Sequence, residues 1–139
     1  VVSPIGIGRD AVWESFRTGR SGVGRFTLFD PSGLPVQIAG QVSDFEPKAY
    51  VKPRKALKVM ARDAQLGVSA SVLAVKDAGI QSGSVDPERM GVVLGADRIC
   101  GEVFDSIESY RRCILEGAFR FSRWFPEGME VAFPLSFLK

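Results

Sequence analysis

The sequence has 139 residues, 45% of them apolar and 24% charged, with a formal net charge of +2 and no histidine. That length suits one domain with a modest core, and the composition is ordinary for a globular chain. The totals exclude a self-contained Cys-His nucleophile, a metal site of usual ligand spacing (the only cysteines are Cys100 and Cys113) and any apolar run near the ~18 residues that cross a membrane.

Val1 and Val2 read as the tail of a buried strand ended by Ser3-Pro4, which suggests a start further upstream. VVSPIGIG has neither the charged n-region nor the long apolar stretch of a signal peptide, and two thiols fit a reducing cytosol better than a disulfide scaffold. Asp10 is placed to cap a helix running to about Thr18, with Val12, Trp13 and Phe16 on its apolar face and Gly19 as its stop. RSGVGRFTLFDPSGLP, dense in turn residues, predicts an ordered loop. Residues 36–42 alternate as a strand with Val36, Ile38, Gly40 and Val42 on one face, ended by Asp44 and Pro47.

Pro53 fits the first turn of a helix carrying RKALKVMARD. A second helical stretch over 63–78, separate or continuous with it, ends at Gly79; Leu66, Ala70, Leu73, Ala74 and Ala78 mark its buried stripe. Residues 90–95 (MGVVLG) form a continuous apolar run of the doubly buried, parallel-strand kind. A third helix is predicted over 102–116, with Val103, Ile107, Tyr110 and Ile114 at helical spacing. Residues 117–128 read as aromatic, basic and irregular, and 131–139 as apolar with no cap. Helix-then-strand units with short links argue for an α/β fold, although only two strands and a stub are evident.

The richest constellation is basic: Lys48, Lys52, Arg54, Lys55, Lys58 and Arg62, with no acidic residue between Pro47 and Arg62. On an α-helix Lys55, Lys58 and Arg62 share a face, and Arg54 lies beside Lys58 at i+4. The plain reading is a solvated face. Against it, these like charges have no interleaved Glu, a local cost that a phosphate or an acidic helix would offset. No aromatic residue lies within 52–62 to stack bases, so nucleic acid is not favoured.

Gly95 to Gly101 (GADRICG) lies between a predicted strand and a helix, which suits a ligand-facing loop, but it is neither a dinucleotide fingerprint nor a P-loop. Simple pairing of Asp97 with Arg98 is the competing reading. Cys100 stands near a helix start, where thiol pKa falls, yet without a histidine base a packed small hydrophobe is favoured. Trp13, Phe16, Phe26 and Phe29 read as core and loop anchors. Phe119, Phe121, Trp124, Phe125, Phe133 and Phe137 form a group suited to an apolar tunnel or a subunit interface.

Taken in order, VVSPIG, Trp13 and Phe16, GRSGV, FD, VQIAGQVSDFEP, RKALKVMARD, DAGI and PERMGVVLGAD resemble the N-terminal part of a β-ketoacyl-acyl-carrier-protein synthase, a condensing enzyme of the thiolase fold. The resemblance covers nearly the whole chain. It implies an α/β, layered α-β-α-β-α fold of which residues 1–139 are a partial N-terminal domain, lacking the start of the first strand and everything from the nucleophile onward. It therefore implies no catalytic residue, cofactor or metal ligand in this segment. Family members dock the acidic helix of the acyl carrier protein on a basic helix aligned with VKPRKALKVM, which implies Arg54, Lys55 and Lys58 as docking residues, with Lys52 and Arg62 at the margins. Arg120 and Arg123 fall where the family carries further docking cations.

The same resemblance places Asp97, Arg98 and Ile99 in the acyl-pocket wall, where many members have a small-residue Gly-Ser-Gly-Ile-Gly-Gly-like loop. Arg98 departs from that pattern; a shorter pocket, a polar acyl chain or a non-catalytic paralogue would each fit. The implied parent enzyme accepts an acyl group onto a Cys, decarboxylates a malonyl-carrier and joins the two in a Claisen condensation of fatty-acid or polyketide synthesis, as a cytoplasmic homodimer. The alternatives are a non-catalytic, chain-length-factor-like partner and an autonomous basic binding module.

Overall fold

The computed structural model describes residues 1–95 and 103–132. The chain divides into two compact units, Val1–Val51 with Leu66–Val93, and Lys52–Gln65 with Leu94–Lys139.

The first unit opens with a hairpin, β1 (Val2–Ser3) antiparallel to β2 (Gly6–Ile7), so Val1 and Val2 are not the tail of a buried strand and Val1 is largely exposed. The turn is tight: a Cβ on Gly6 would lie 2.9 Å from the Ala11 carbonyl carbon. Helix α1 (Arg9–Thr18) follows, and its N-cap is Gly8, not Asp10. Asp10 lies one residue inside, where its charge complements the helix dipole and accepts a bond from Arg9 Nε at 3.0 Å. Gly19 ends the helix in the left-handed conformation, as the spacing predicts. The inward face is Val12 and Ser15, and the Ser15 hydroxyl donates to the Ile5 carbonyl at 2.6 Å, tying the helix to the hairpin. Trp13 and Phe16, predicted as core, are 67% and 68% exposed.

The predicted loop contains a strand. β3 (Val23–Arg25) pairs antiparallel with β4 (Ile38–Gly40). Gln41 clamps the ribbon's end by accepting from the Thr27 N–H at 3.1 Å and donating to its hydroxyl at 2.9 Å. Of the strand's predicted apolar face, Val36, Ile38 and Gly40 are exposed and Val42 is half-buried, whereas Gln37, Ala39 and Gln41 on the other face are all half-buried. Helix α2 (Arg62–Asp77) turns a small-residue face inward around fully buried Ser69, with Leu66, Ala70 and Leu73 half-buried and Ala74 and Ala78 exposed. Gly79, at φ 67°, lets the chain leave the helix. Arg9 and Asp77 pair at 2.9 Å between α1 and α2.

Residues 90–95 form no strand, contrary to expectation, and Val92, Val93 and Leu94 are 63%, 97% and 58% exposed. A doubly buried strand needs a neighbour on each edge and a layer on each face; among the described residues no strand pairs with this run.

In the second unit α3 (Val103–Arg112) ends before the predicted 116, because the chain reverses into a hairpin, β5 (Ile114–Leu115) against β6 (Ala118–Phe119). Its two-residue turn puts Glu116 and Gly117 at φ 51° and 77°, the geometry that matches strand twist. After the hairpin, the stretch 117–128 predicted as irregular forms short helical turns, Phe121–Arg123 and Trp124–Gly128, and a further turn, Met129–Val131, follows. They pack on α3 through fully buried Cys113 and through Gly128, where a Cβ would lie 2.9 Å from Cys113 Sγ. Tyr110, Phe119 and Trp124 form an aromatic triangle with centroids 5.1–6.3 Å apart.

Candidate functional site

Pro53 stands at the N-cap of a 3-10 helix, Arg54–Val59, and Ala56 N–H donates to the Pro53 carbonyl at 3.0 Å. At about 3 residues per turn, side chains three apart are eclipsed. Lys55 and Lys58 therefore share one edge, and Arg54 stands over Leu57 rather than beside Lys58. All three cations are exposed, while Ala56 and Leu57 are half-buried.

Met60 breaks the segment with extended dihedrals (φ −104°, ψ 122°), so the predicted basic helix is not continuous with α2. Gln65 closes the junction, donating from its side chain to the Met60 carbonyl at 2.8 Å and from its backbone to the Ala61 carbonyl at 3.0 Å. Arg62 opens α2 as a half-buried residue and does not share the edge of Lys55 and Lys58.

Ion pairing differs among the cations of the chain. Arg9, Arg17, Arg111, Arg112 and Arg123 all hold carboxylates. Among the described residues Lys52, Arg54, Lys55 and Lys58 hold none, although four cations fall within seven positions. Such a cluster repels itself and presents a local positive field to solvent, effective over roughly one Debye length of about 8 Å at physiological salt.

The two further cations differ from each other. Arg120 is exposed and has no ion pair among the described residues. Arg123 is half-buried and forms a two-pronged pair with Glu127, Nε to Oε1 at 2.6 Å and Nη2 to Oε2. The hydrogen bonds from Arg123 lower the Glu127 carboxyl pKa below its ordinary value, and the same contact raises that of Arg123. The charge of Arg123 is thus neutralised locally.

Asp97, Arg98 and Ile99, with Cys100, lie outside the described residues. Cys113 is fully buried and presents no thiol to solvent. No helix among the described residues is long and apolar enough to cross a membrane. The first unit also holds an open polar cleft of about 560 Å³ that the sequence reading did not single out, lined by Ser3, Arg20, Ser21, Gln41, Ser43 and Asp44 among others. Part of its polar lining is engaged internally: Arg20 Nη2 donates to the Ile5 carbonyl at 2.6 Å and Ser3 Oγ to the Gly6 carbonyl at 3.2 Å. The convergence of SPIG, RSGVG and QVSD, three polar turn segments, was its only trace in the sequence.

A family model described as beta-ketoacyl synthase, N-terminal domain, matches residues 1–112. The chain is similar to the putative polyketide beta-ketoacyl synthase 1 of Streptomyces halstedii, 40% identical over 68% of this chain and 22% of that protein. It is also similar to the 3-oxoacyl-(acyl-carrier-protein) synthase 2 of Coxiella burnetii, 34% identical over 69% of this chain and 23% of that protein. Among solved structures it is similar to the ishigamide ketosynthase/chain length factor, with TM-score 0.54 and 38% identity over 59% of this chain and 20% of that one. The matched part of the chain therefore spans about a fifth to a quarter of the length of these relatives. Its fold is the α/β, thiolase-like fold of the ketosynthases. From the ordered motifs of residues 1–112, the family match and the shared fold, the chain belongs to the β-ketoacyl synthases, as part of their N-terminal domain.

Proposed function

We propose that this chain supplies the carrier-docking surface of a β-ketoacyl synthase, with Arg54, Lys55 and Lys58 meeting the acidic helix of an acyl carrier protein and Lys52 and Arg62 at the margin. The parent protein transfers an acyl group from a carrier thioester to a cysteine thiolate and then decarboxylates a carrier-bound malonyl group. The resulting carbanion attacks the acyl thioester, forming a carbon–carbon bond and releasing the thiolate.

Neither thiol of this segment is assigned that role, since Cys113 is sealed in the interior and Cys100 has the packed reading given above. The observation that carries the docking role is the row of exposed cations on the short helix Arg54–Val59 that hold no carboxylate among the described residues. Cations already held by carboxylates would have to exchange partners to dock, whereas these need only shed water. Charged contacts of this kind give steering and specificity more than raw affinity. The test is condensation by the protein that carries this chain, compared between a carrier-bound substrate and a small thioester analogue. Reversal of Lys55 and Lys58 must raise KM for the first and spare the second.

One observation keeps a second reading in view: the similar solved structure pairs a ketosynthase with a chain length factor. Thiol labelling of the intact protein with a cysteine-directed electrophile separates the two. A fast-reacting cysteine marks the condensing subunit, and its absence marks the non-catalytic partner.

A further inference from the structure

Arg120 and Arg123 bracket one helical turn, with the Arg123 N–H donating to the Arg120 carbonyl at 3.0 Å, yet of the two Arg120 alone has no ion pair among the described residues. Beside them Phe121 and Phe125, 68% and 72% exposed, stack edge to face at 6.5 Å, so the turn presents apolar as well as cationic surface. Arg123 and Glu127 are four apart on the same run of turns, with side chains 29% and 40% exposed. Their pair is reachable from solvent. A pair this open to solvent is weak, so a carboxylate arriving from outside can exchange with Glu127 on Arg123.

We propose that Glu127 is a built-in competitor for the docking surface, occupying Arg123 so that an acidic partner must displace one carboxylate with another to use this cation. The inference rests on the carrier-docking reading above and adds a regulating residue to it. The exchange returns little net affinity, since one ion pair is lost for each gained and Glu127 is left half-buried without its partner. Arg123 is then a latent contact in the natural protein. Removing the charge at Glu127, while keeping an amide oxygen to accept from the guanidinium, makes it an active one. Glu130 provides the internal comparison. It pairs with Arg112 at 2.9 Å, but Arg112 also lies 3.8 Å from Glu108, so neutralising Glu130 does not free a cation.

The experiment measures binding of an apo acyl carrier protein to the full protein that carries this chain, at low and at physiological ionic strength. Glu127→Gln is expected to tighten binding about three- to fivefold at low salt, the size of one exposed charge contact, and to steepen the salt dependence. The double variant Arg123→Gln/Glu127→Gln should lose the gain, and Glu130→Gln should show none. Arg123→Gln alone should change affinity less than about twofold, because that cation is already occupied; this variant keeps the test open if Glu127→Gln folds poorly. A gain that persists in the double variant overturns the proposal, as does a large loss in Arg123→Gln alone. If Glu127→Gln changes nothing while reversal of Lys55 and Lys58 weakens binding, the competitor role falls and the docking reading stands. If neither changes binding, both fall.

Discussion

Reversing the charge of Lys58, alone and with Lys55, probes the docking surface and the 3-10 geometry together. At a rise of about 2 Å per residue, Lys55 and Lys58 stand about 6 Å apart on one edge of the helix. Two like charges at that spacing repel by about 0.7 kcal/mol in water, roughly halved by physiological salt. Lys58→Glu removes that repulsion and puts a carboxylate beside Lys55, so the thermal midpoint should hold or rise slightly. Docking responds in the opposite sense. One attractive contact is lost and one repulsive contact appears, together about 1 kcal/mol, or roughly fivefold in KM for the carrier-bound substrate. The Lys55→Glu/Lys58→Glu pair should cost about 2 kcal/mol, roughly 30-fold, and the penalty should shrink as salt is added. Steady-state condensation at two ionic strengths reads both quantities, with a small thioester analogue as the control that needs no carrier. Equal KM changes for the two substrates, or a salt-independent effect, would refute the docking assignment. A fall in thermal midpoint for Lys58→Glu would refute the eclipsed arrangement instead.

Gly128→Ala should destabilise the second unit by about 1–3 kcal/mol, because the new methyl would lie 2.9 Å from Cys113 Sγ and 3.1 Å from the Ser109 carbonyl. Combining it with Cys113→Ala should recover part of the loss in a denaturant titration, and strict additivity would count against the contact. Ser15→Ala should cost about 1 kcal/mol, since the buried hydroxyl's bond to the Ile5 carbonyl disappears while Arg20 continues to hold that oxygen. Glu127 has a depressed folded-state pKa, so its pair stabilises above the ordinary glutamate range and is lost as pH falls through the lowered value. Glu127→Gln should lack that contribution at neutral pH, and the two pH–stability curves should converge as pH falls below about 4.

What could be read in the sequence was set by local chemistry. Gly19 and Gly79 mark helix ends because a left-handed residue closes a helix wherever that helix sits. The basic row was legible because charge needs no partner to be recognised. Its geometry was not. RKALKV satisfies α and 3-10 spacing alike, so Lys55 and Lys58 share a face in either, and only the extended Met60 decides that Arg62 belongs to another helix. Nor was the reversal at Glu116-Gly117 legible, since glutamate rarely takes a positive φ and nothing in LEGAF forces it. The engagement of Arg123 by Glu127 was within reach, because i,i+4 spacing was visible, but it depended on the helical turns that the reading took for irregular chain.

The apolar residues show a different limit. Trp13, Phe16, Val36 and Ile38 were marked for burial by periodicity, and Val92 and Val93 by a continuous apolar run, and all are exposed. Periodicity reports which side chains share a face; it does not report what covers that face. The fraction of surface a chain buries rises with its length, and the relatives named above are about three times as long as this chain. The basic row behaves in the opposite way, because solvent exposure suits its charges and the docking proposed for it requires only that a partner displace water. Charge reversal at Lys55 and Lys58 is therefore the sharper probe of what this segment does: it acts on residues whose solvent-facing position the fold itself explains, whereas truncating Trp13 or Val93 would act on surfaces for which the described residues supply no cover.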